Sequence, residues 1–153
     1  MPQFITSSDL IGITPEIILT LTAICVLSLE ISRFSKSNFS LAIAVFGLLT
    51  AGIVAFQGSG HGGLLFGGMI KINLFSTFFD LLYISIGLAV IFFSPEYLKK
   101  KGGEFRGEYS ALIIFSVIGM MLMTRANDLL ILFLGLELLS LSLYVLVGFL
   151  QHN

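Results

Sequence analysis

Four positions in the last apolar stretch of the chain form a stripe of polar or small residues: Glu137, Ser140, Tyr144 and Gly148. They are spaced i, i+3, i+7 and i+11, so a helix would place them on one face. Glu137 would lie about 12 Å into a helix that begins at Leu129. Ionisable residues at such depth in a membrane usually mark an ion or proton path. The stripe therefore favours proton handling, with a structural hydrogen bond between helices as the alternative.

The helix can enter a membrane with its acid in place. An acid near the middle of a membrane helix costs about 3 kcal/mol on insertion scales. Most other residues from 129 to 150 are Leu, Ile, Val or Phe, and together they contribute about −6 kcal/mol. Because lipid offers no hydrogen bonds, we expect Glu137 to face protein or water, with Ser140 and Tyr144 supporting hydrogen bonds.

Three further acids lie in or beside apolar stretches. Asp80 is a possible secondary proton site, about 12 Å into a stretch that begins near residue 72. Glu16 and Glu30 lie at the two ends of the first stretch, and we expect both to be solvated. Glu30 is placed to pair with Arg33.

Metal and nucleotide sites are disfavoured. His61, His152 and the single Cys25 have no neighbouring ligand set. The segment 58–63 matches G-x-G-x-x-G, but that motif works only between a strand and a helix of a βαβ unit. Here it joins two apolar stretches, so a flexible loop is predicted over residues 57–63.

Composition indicates a membrane protein. Of 153 residues, 56% are hydrophobic and 11% charged, whereas soluble domains carry about 25% charged residues. With eight Lys and Arg and a net charge of −1, no basic surface for nucleic acid can form. Unpaired backbone groups are not tolerated in lipid, so each long apolar stretch should be a helix. The predicted fold is an all-α polytopic bundle of about five transmembrane helices: Pro15–Ile31, Ser40–Phe56, Ile72–Phe93, Tyr109–Thr124 and Leu129–Leu150.

The joints between these stretches predict the orientation. The third helix should end at Ser94-Pro95, and residues 125–128 should form a tight hairpin with Arg125 at a helix C-terminus and Asp128 as the next N-cap. The Lys and Arg bias puts the N-terminus outside and the C-terminus in the cytoplasm. One side holds six such residues, Arg33, Lys36, Lys99, Lys100, Lys101 and Arg106, and the other side holds two, Lys71 and Arg125.

Several segments resemble subunit N of bacterial NADH-quinone oxidoreductase (respiratory complex I). The resemblance extends over the whole chain and is strongest from residue 107 to residue 150. It is carried by Thr14-Pro15-Glu16, Phe75-Ser76-x-x-Phe79, Gly107-Glu108-Tyr109-Ser110-Ala111-Leu112, Gly119-Met120-Met121-Leu122-Met123, Ala126-Asn127-Asp128-Leu129-Leu130 and Leu132-Phe133-Leu134-Gly135-Leu136-Glu137-Leu138-Leu139-Ser140-Leu141-Ser142-Leu143-Tyr144-Val145-Leu146.

This resemblance implies an antiporter-like subunit with two inverted repeats of five helices that moves protons during quinone reduction. Glu137 matches the family's key acid, which works with lysines on later helices. The chain would be the N-terminal third of such a subunit, as a fragment, a truncated gene or a split gene. Residues 1–106 would hold three N-terminal helices, and residues 107–153 would begin the antiporter-like domain. Asn73 stands where relatives often have Asp, and Ser142 where some have Pro.

The resemblance also implies partners. NADH, FMN, iron–sulfur clusters and quinone would bind to other subunits, with no cofactor or metal in this chain. Its partners would be other membrane subunits of complex I and the lipid bilayer of the bacterial inner (plasma) membrane, with no nucleic acid.

Two alternatives stay open. One is a subunit of a multi-subunit cation/proton antiporter, which shares the glutamate and the helix pattern; neighbouring genes for redox subunits would favour complex I over it. The other is a non-transporting membrane scaffold or assembly piece.

Overall fold

Five long apolar helices form a bundle, in a computed structural model that describes residues 5–31, 37–60, 62–100 and 106–151. A short helix precedes them, and a two-stranded hairpin lies between the second and third. The elements in chain order are α1 (Ser7–Gly12), α2 (Thr14–Ile31), α3 (Ser37–Gln57), β1 (Gly63–Leu65), β2 (Ile70–Ile72), α4 (Leu74–Lys100), α5 (Gly107–Arg125) and α6 (Leu129–Gln151). The predicted all-α bundle of five membrane-spanning helices is confirmed.

Helix α4 continues through Pro95 to Lys100, so the predicted end at Ser94-Pro95 is wrong. Proline has no N–H and crowds the carbonyl four residues earlier, yet one such defect is tolerated where neighbouring groups compensate. The carbonyl that loses its N–H donor is that of Ile91, whereas the Ser94 hydroxyl donates to the preceding carbonyl, of Val90, at 2.5 Å. Leu98, one turn beyond the proline, is buried in the bundle, and this packing favours helix over a break.

The hairpin and α1 were not predicted: residues 57–63 were expected to be a flexible loop, and no element was assigned to residues 64–71 or 7–12. β1 and β2 pair antiparallel with Leu65 opposite Ile70. The connection uses left-handed backbone at Phe66, Gly67 and Gly68 (φ 51°, 66° and 95°), which glycine adopts without steric penalty. Gly-Gly between short apolar runs is the hairpin signal in the sequence. In the G-x-G-x-x-G segment, residues 58–60 form a 3₁₀ turn and Gly63 begins β1, so this segment has no βαβ context.

The hairpin closes one end of the bundle. Leu65, Ile70 and Ile72 form a small buried cluster with Ile13 and Ile131. The hairpin also holds the α5–α6 turn, because the Asn127 N–H donates to the Met69 carbonyl at 2.9 Å and the Asn127 side-chain amide donates to the Gly68 carbonyl at 2.8 Å. This end of the bundle is therefore covered by folded chain.

Asp9 fastens α1 to the hairpin. Its carboxylate accepts the backbone N–H of Phe66 at 3.0 Å and both the N–H and the hydroxyl of Thr6 at 2.7 Å. The Phe66 N–H, then the Thr6 N–H and hydroxyl, hold the pKa of Asp9 below its usual value.

We expect the hydrogen bonds to the Asp9 carboxylate to weaken at acidic pH. A carboxyl whose pKa is lower in the folded state stabilises the fold above its unfolded pKa of about 3.9, and that contribution is lost as pH falls through the lower folded value. The amide proton shift of Phe66, followed by NMR, should titrate with a midpoint below that of a free aspartate. Asp9→Asn should abolish this titration. A midpoint at or above the ordinary value would contradict the prediction.

Helix α5 is the centre of the bundle and packs against α2, α3, α4 and α6. Its Ile114, Val117 and Met121 side chains are in the core with Leu19 and Leu48. In the most apolar 18-residue stretch of α5, 56% of the residues are buried. In the corresponding stretch of α6, only 11% are buried. One face of α6 therefore packs on α5, and most of its surface has no cover from the described residues.

Glycines set the distance between α5 and α6. A Cβ atom placed on Gly119 would lie 2.8 Å from the Leu139 backbone nitrogen and 2.9 Å from the Gly135 carbonyl oxygen. A Cβ on Gly135 would in turn lie 2.9 Å from the Gly119 carbonyl oxygen. Such small-residue contacts let membrane helices approach closely where no hydrophobic effect drives association.

Candidate functional site

The stripe predicted on α6 lies on the side of the helix that faces away from α5. Glu137 is exposed, Ser140 is half-buried and Tyr144 is 73% exposed. Gly135, on the packed face, precedes Glu137 by two residues, which is about 200° around the helix. Ser142 is also buried, and its hydroxyl donates to the Leu138 carbonyl at 2.8 Å.

Within the described part of the chain, no hydrogen bond or ion pair of Glu137 is found. Among these residues no protein group pairs with the Glu137 carboxylate, so the expectation that it faces protein or water stays a prediction. The reason for the missing partner is geometric: the glycine contact with α5 fixes the rotation of α6, and this rotation turns the acid outward.

Asp80 is buried at the covered end of the bundle. It lies about 9 Å into its helix, less than the predicted 12 Å, because α4 begins at Leu74. The side chain is fully buried, and its Oδ2 accepts from Arg125 Nη2 at 2.6 Å and from Arg125 Nε at 2.8 Å. Asp80 thus joins α4 to the last residue of α5.

Glu16 and Arg125 are also buried there, against expectation. Glu16 was predicted to be a solvated helix end, but it is 6% exposed, and its Oε1 lies 2.7 Å from Arg125 Nη1. Arg125 was counted as a loop charge, but it is 3% exposed and also donates to the Gly12 carbonyl at 3.1 Å. Burial follows from α1 and the hairpin, which cover this end of α2, α4 and α5.

A signal for this cluster was present in the sequence. The apolar stretches alternate in direction, so Glu16, Asp80 and Arg125 belong to the same end of three different helices. Two acids and one arginine at one membrane depth indicate a buried ion pair, because an unpaired charge would be costly there.

Glu30, at the opposite end, is also engaged within the protein. It accepts the Gly107 N–H at 3.1 Å and lies 3.5 Å from the Ser40 hydroxyl. A carboxylate at the N-terminus of α5 is stabilised by the free N–H groups there. The predicted partner, Arg33, lies outside the described residues. Glu30 therefore links α2 to α5 and is half-buried rather than fully solvated.

The chain is similar in sequence to several known proteins over most of its length. No family model matches it. A protein of Solibacter usitatus named NADH-quinone oxidoreductase subunit N 1 is 39% identical over 149 residues, which is 95% of this chain and 30% of that protein. Proteins named NADH-quinone oxidoreductase subunit N are 42% identical over 70% of the chain in Chloroflexus aggregans and 37% identical over 96% in Trichlorobacter lovleyi.

This chain is a relative of subunit N of NADH-quinone oxidoreductase. The resemblance seen in the sequence motifs is thereby confirmed. The chain spans about 30% of the length of the Solibacter and Trichlorobacter subunit N proteins and 22% of the Chloroflexus one. In the described residues, no group of three or more His, Cys, Asp or Glu side chains is arranged to hold a metal ion.

Proposed function

We propose that this chain forms part of a proton-translocating membrane subunit of an NADH-quinone oxidoreductase, and that Glu137 is a titrating carboxylate in its proton path. The observation that carries the proposal is 39% identity, over 95% of the chain, to a protein named as subunit N of that enzyme. The five membrane-spanning helices support a membrane subunit.

The position of Glu137 supports its role in a specific way. An acid that faces lipid near mid-membrane costs about 3 kcal/mol, whereas water or protein donors on that face would remove most of this cost. Ser140 and Tyr144 supply hydroxyl groups on the same side of α6. We therefore propose that further membrane helices of the subunit, corresponding to the remaining length of the relatives, cover this face and bring the lysine partners of Glu137.

The remaining assignments follow from the same proposal. NADH, FMN, iron–sulfur and quinone chemistry would belong to partner subunits, and this chain would lie in the bacterial inner membrane. Residues 107–153 would begin the antiporter-like domain. The outward orientation of the N-terminus is supported by loop charge, since burial of Arg125 leaves Lys71 alone opposite the six basic residues of the other side.

The test is Glu137→Gln in the assembled enzyme, reconstituted in sealed vesicles. Glutamine keeps the size and polarity of the side chain but cannot release a proton. We expect the rate of proton translocation to fall on the order of 100-fold, the lower end of what a positioned proton-transfer group contributes. Proton uptake and NADH oxidation are measured together, so that pumping is expressed per electron pair.

Leu136→Gln is the matched control. Leu136 is the adjacent exposed residue on α6, so this variant introduces the same amide at nearly the same depth without removing the acid. It should pump normally. Unchanged pumping per electron pair in Glu137→Gln would contradict the proposal and favour a non-transporting role. If ion translocation by the enzyme instead depends on sodium, a cation antiporter is favoured.

A further inference from the structure

A cavity of about 310 Å³ lies beneath α1 and the β-hairpin. Its lining runs from the exposed Ile11 and Leu64 inward to Thr77 and the buried Arg125. Water occupies about 30 Å³ per molecule in the liquid, so this space has room for several waters. Arg125, Thr77 and exposed glycine backbone give those waters hydrogen-bond partners. The cavity therefore connects the surface with Arg125, the member of the cluster that lines it.

The cluster at the inner end of the cavity contains two acidic side chains and one basic side chain. Arg125 faces two carboxylates, Glu16 and Asp80, at 2.7 and 2.6 Å. With all three ionised, the buried cluster has a net charge of −1, and one bound proton would neutralise it. A buried net charge is strongly unfavourable, so the arrangement favours occupation by a cation.

Two carboxylate oxygens in the cluster have no partner. Asp80 Oδ1 and Glu16 Oε2 are buried, and neither accepts a hydrogen bond within the described residues. Glu16 Oε1 lies close to Arg125 but without hydrogen-bond alignment. Buried carboxylate oxygens are almost always satisfied, so these unpartnered atoms mark places where a proton can reside.

Among the described residues, the other ionisable groups at this end form hydrogen bonds or are exposed. Asp9 on α1 binds Thr6 and Phe66, Lys71 on β2 is exposed, and Asp128 in the α5–α6 turn accepts from the Leu130 N–H at 2.7 Å. Tyr83 on α4 shares a hydrogen bond of 3.0 Å with the hydroxyl of Thr124. Residues 37–57 of α3 contain no ionisable side chain.

We propose that the Glu16–Asp80–Arg125 cluster is a second proton-binding site, which exchanges one proton with the surface through the cavity beneath α1 and the hairpin. A proton fits better than a metal cation, because the described residues contain no set of three acidic, His or Cys ligands. The proton adds to a free carboxylate oxygen of Glu16 or Asp80 and leaves as hydrated proton along the cavity. This site is separate from Glu137 and does not rest on the function proposed for that residue.

Access is tested with two cysteines placed one turn apart on α3, in a Cys25→Ser background of the full chain in lipid nanodiscs. Ala55 lines the cavity although it is 3% exposed, whereas Ala51 is 0% exposed and does not line it. A membrane-impermeant methanethiosulfonate reagent should modify Ala55→Cys and leave Ala51→Cys unmodified. Equal protection of both cysteines would overturn the proposed route.

Proton binding is tested by infrared titration of the same full chain between mildly acidic and mildly alkaline pH. We expect a protonated-carboxyl C=O band that disappears at alkaline pH, shifts in deuterated water, and is lost or displaced in both Glu16→Gln and Asp80→Asn; a band that belongs to Glu137 is recognised by its loss in Glu137→Gln. Glu137→Gln should leave the band of the cluster unchanged. The conservative variants keep side-chain size. If a variant does not fold, the titration of the wild-type chain still shows whether such a carboxyl exists.

Two results would overturn the site. If no such carboxyl titrates over this range, the cluster is a permanent structural ion pair. If its titration shifts when sodium replaces N-methylglucamine, a metal cation competes for the site and the assignment to a proton alone is wrong. Since the readout is the carboxyl itself, neither result depends on whether Glu137→Gln affects pumping.

Discussion

Replacing Arg125 with methionine should destabilise the folded chain by about 3–5 kcal/mol at neutral pH. Arg125 is 3% exposed and ion-paired with Glu16 and Asp80. Its removal leaves two buried carboxylates without a countercharge, and this uncompensated charge is the source of the loss. Reversible unfolding in one detergent mixture, followed by circular dichroism, measures the change.

Two controls separate this effect from the simple loss of an arginine. Lys100→Met breaks an exposed ion pair with Glu96 at 3.4 Å, and such pairs contribute at most about 1 kcal/mol. The triple variant Arg125→Met, Glu16→Gln, Asp80→Asn removes the buried charges together and should recover most of the stability, because neutral replacement of a whole buried ion pair is often tolerated. A loss equal to that of Lys100→Met would contradict the buried-charge account.

Gly119→Ala should destabilise the pairing of α5 and α6 by about 1–3 kcal/mol, the usual range for overpacking. The added methyl would approach the Leu139 nitrogen at 2.8 Å and the Gly135 carbonyl at 2.9 Å. These are backbone atoms, so the two helices must separate to admit it. The same unfolding measurement reports the loss.

Gly148→Ala is the matched control on α6. A Cβ on Gly148 meets nothing within 4 Å, and alanine is a better helix former than glycine. This variant should therefore be neutral or slightly stabilising. Equal effects of the two alanines would mean that glycine at 119 does not set the helix separation.

Much of the fold can be predicted from patterns in the amino-acid sequence. The ends of α2, α3, α5 and α6 lie within a few residues of those predicted by apolar length. The Asp128 cap was also predicted, and Asp128 does accept the Leu130 N–H. Lipid leaves the backbone no alternative to a helix, so length and composition are sufficient there. At Pro95, sequence signals were not sufficient, because packing of Leu98 outweighed the missing hydrogen bond.

For the candidate site residues, too, some features follow from local sequence and others depend on helix packing. Helical spacing was sufficient to predict that Glu137, Ser140 and Tyr144 share one face, since spacing determines which side chains share a face. Their relation to the rest of the bundle depends on how α6 is rotated, and that rotation is set by the contact of Gly119 with Gly135. Spacing within one helix carries no information about that contact.

Composition and apolar length are sufficient to identify a polytopic helical membrane protein, its motifs relate it to subunit N, and an acid is predicted deep in α6. The buried cluster of Glu16, Asp80 and Arg125 and the orientation of Glu137 away from α5 depend on how the helices pack. The physical reason is that insertion into lipid depends on local hydrophobicity. Pairing of charges between helices depends instead on which ends meet and on what covers them, and here α1 and a short hairpin cover that end.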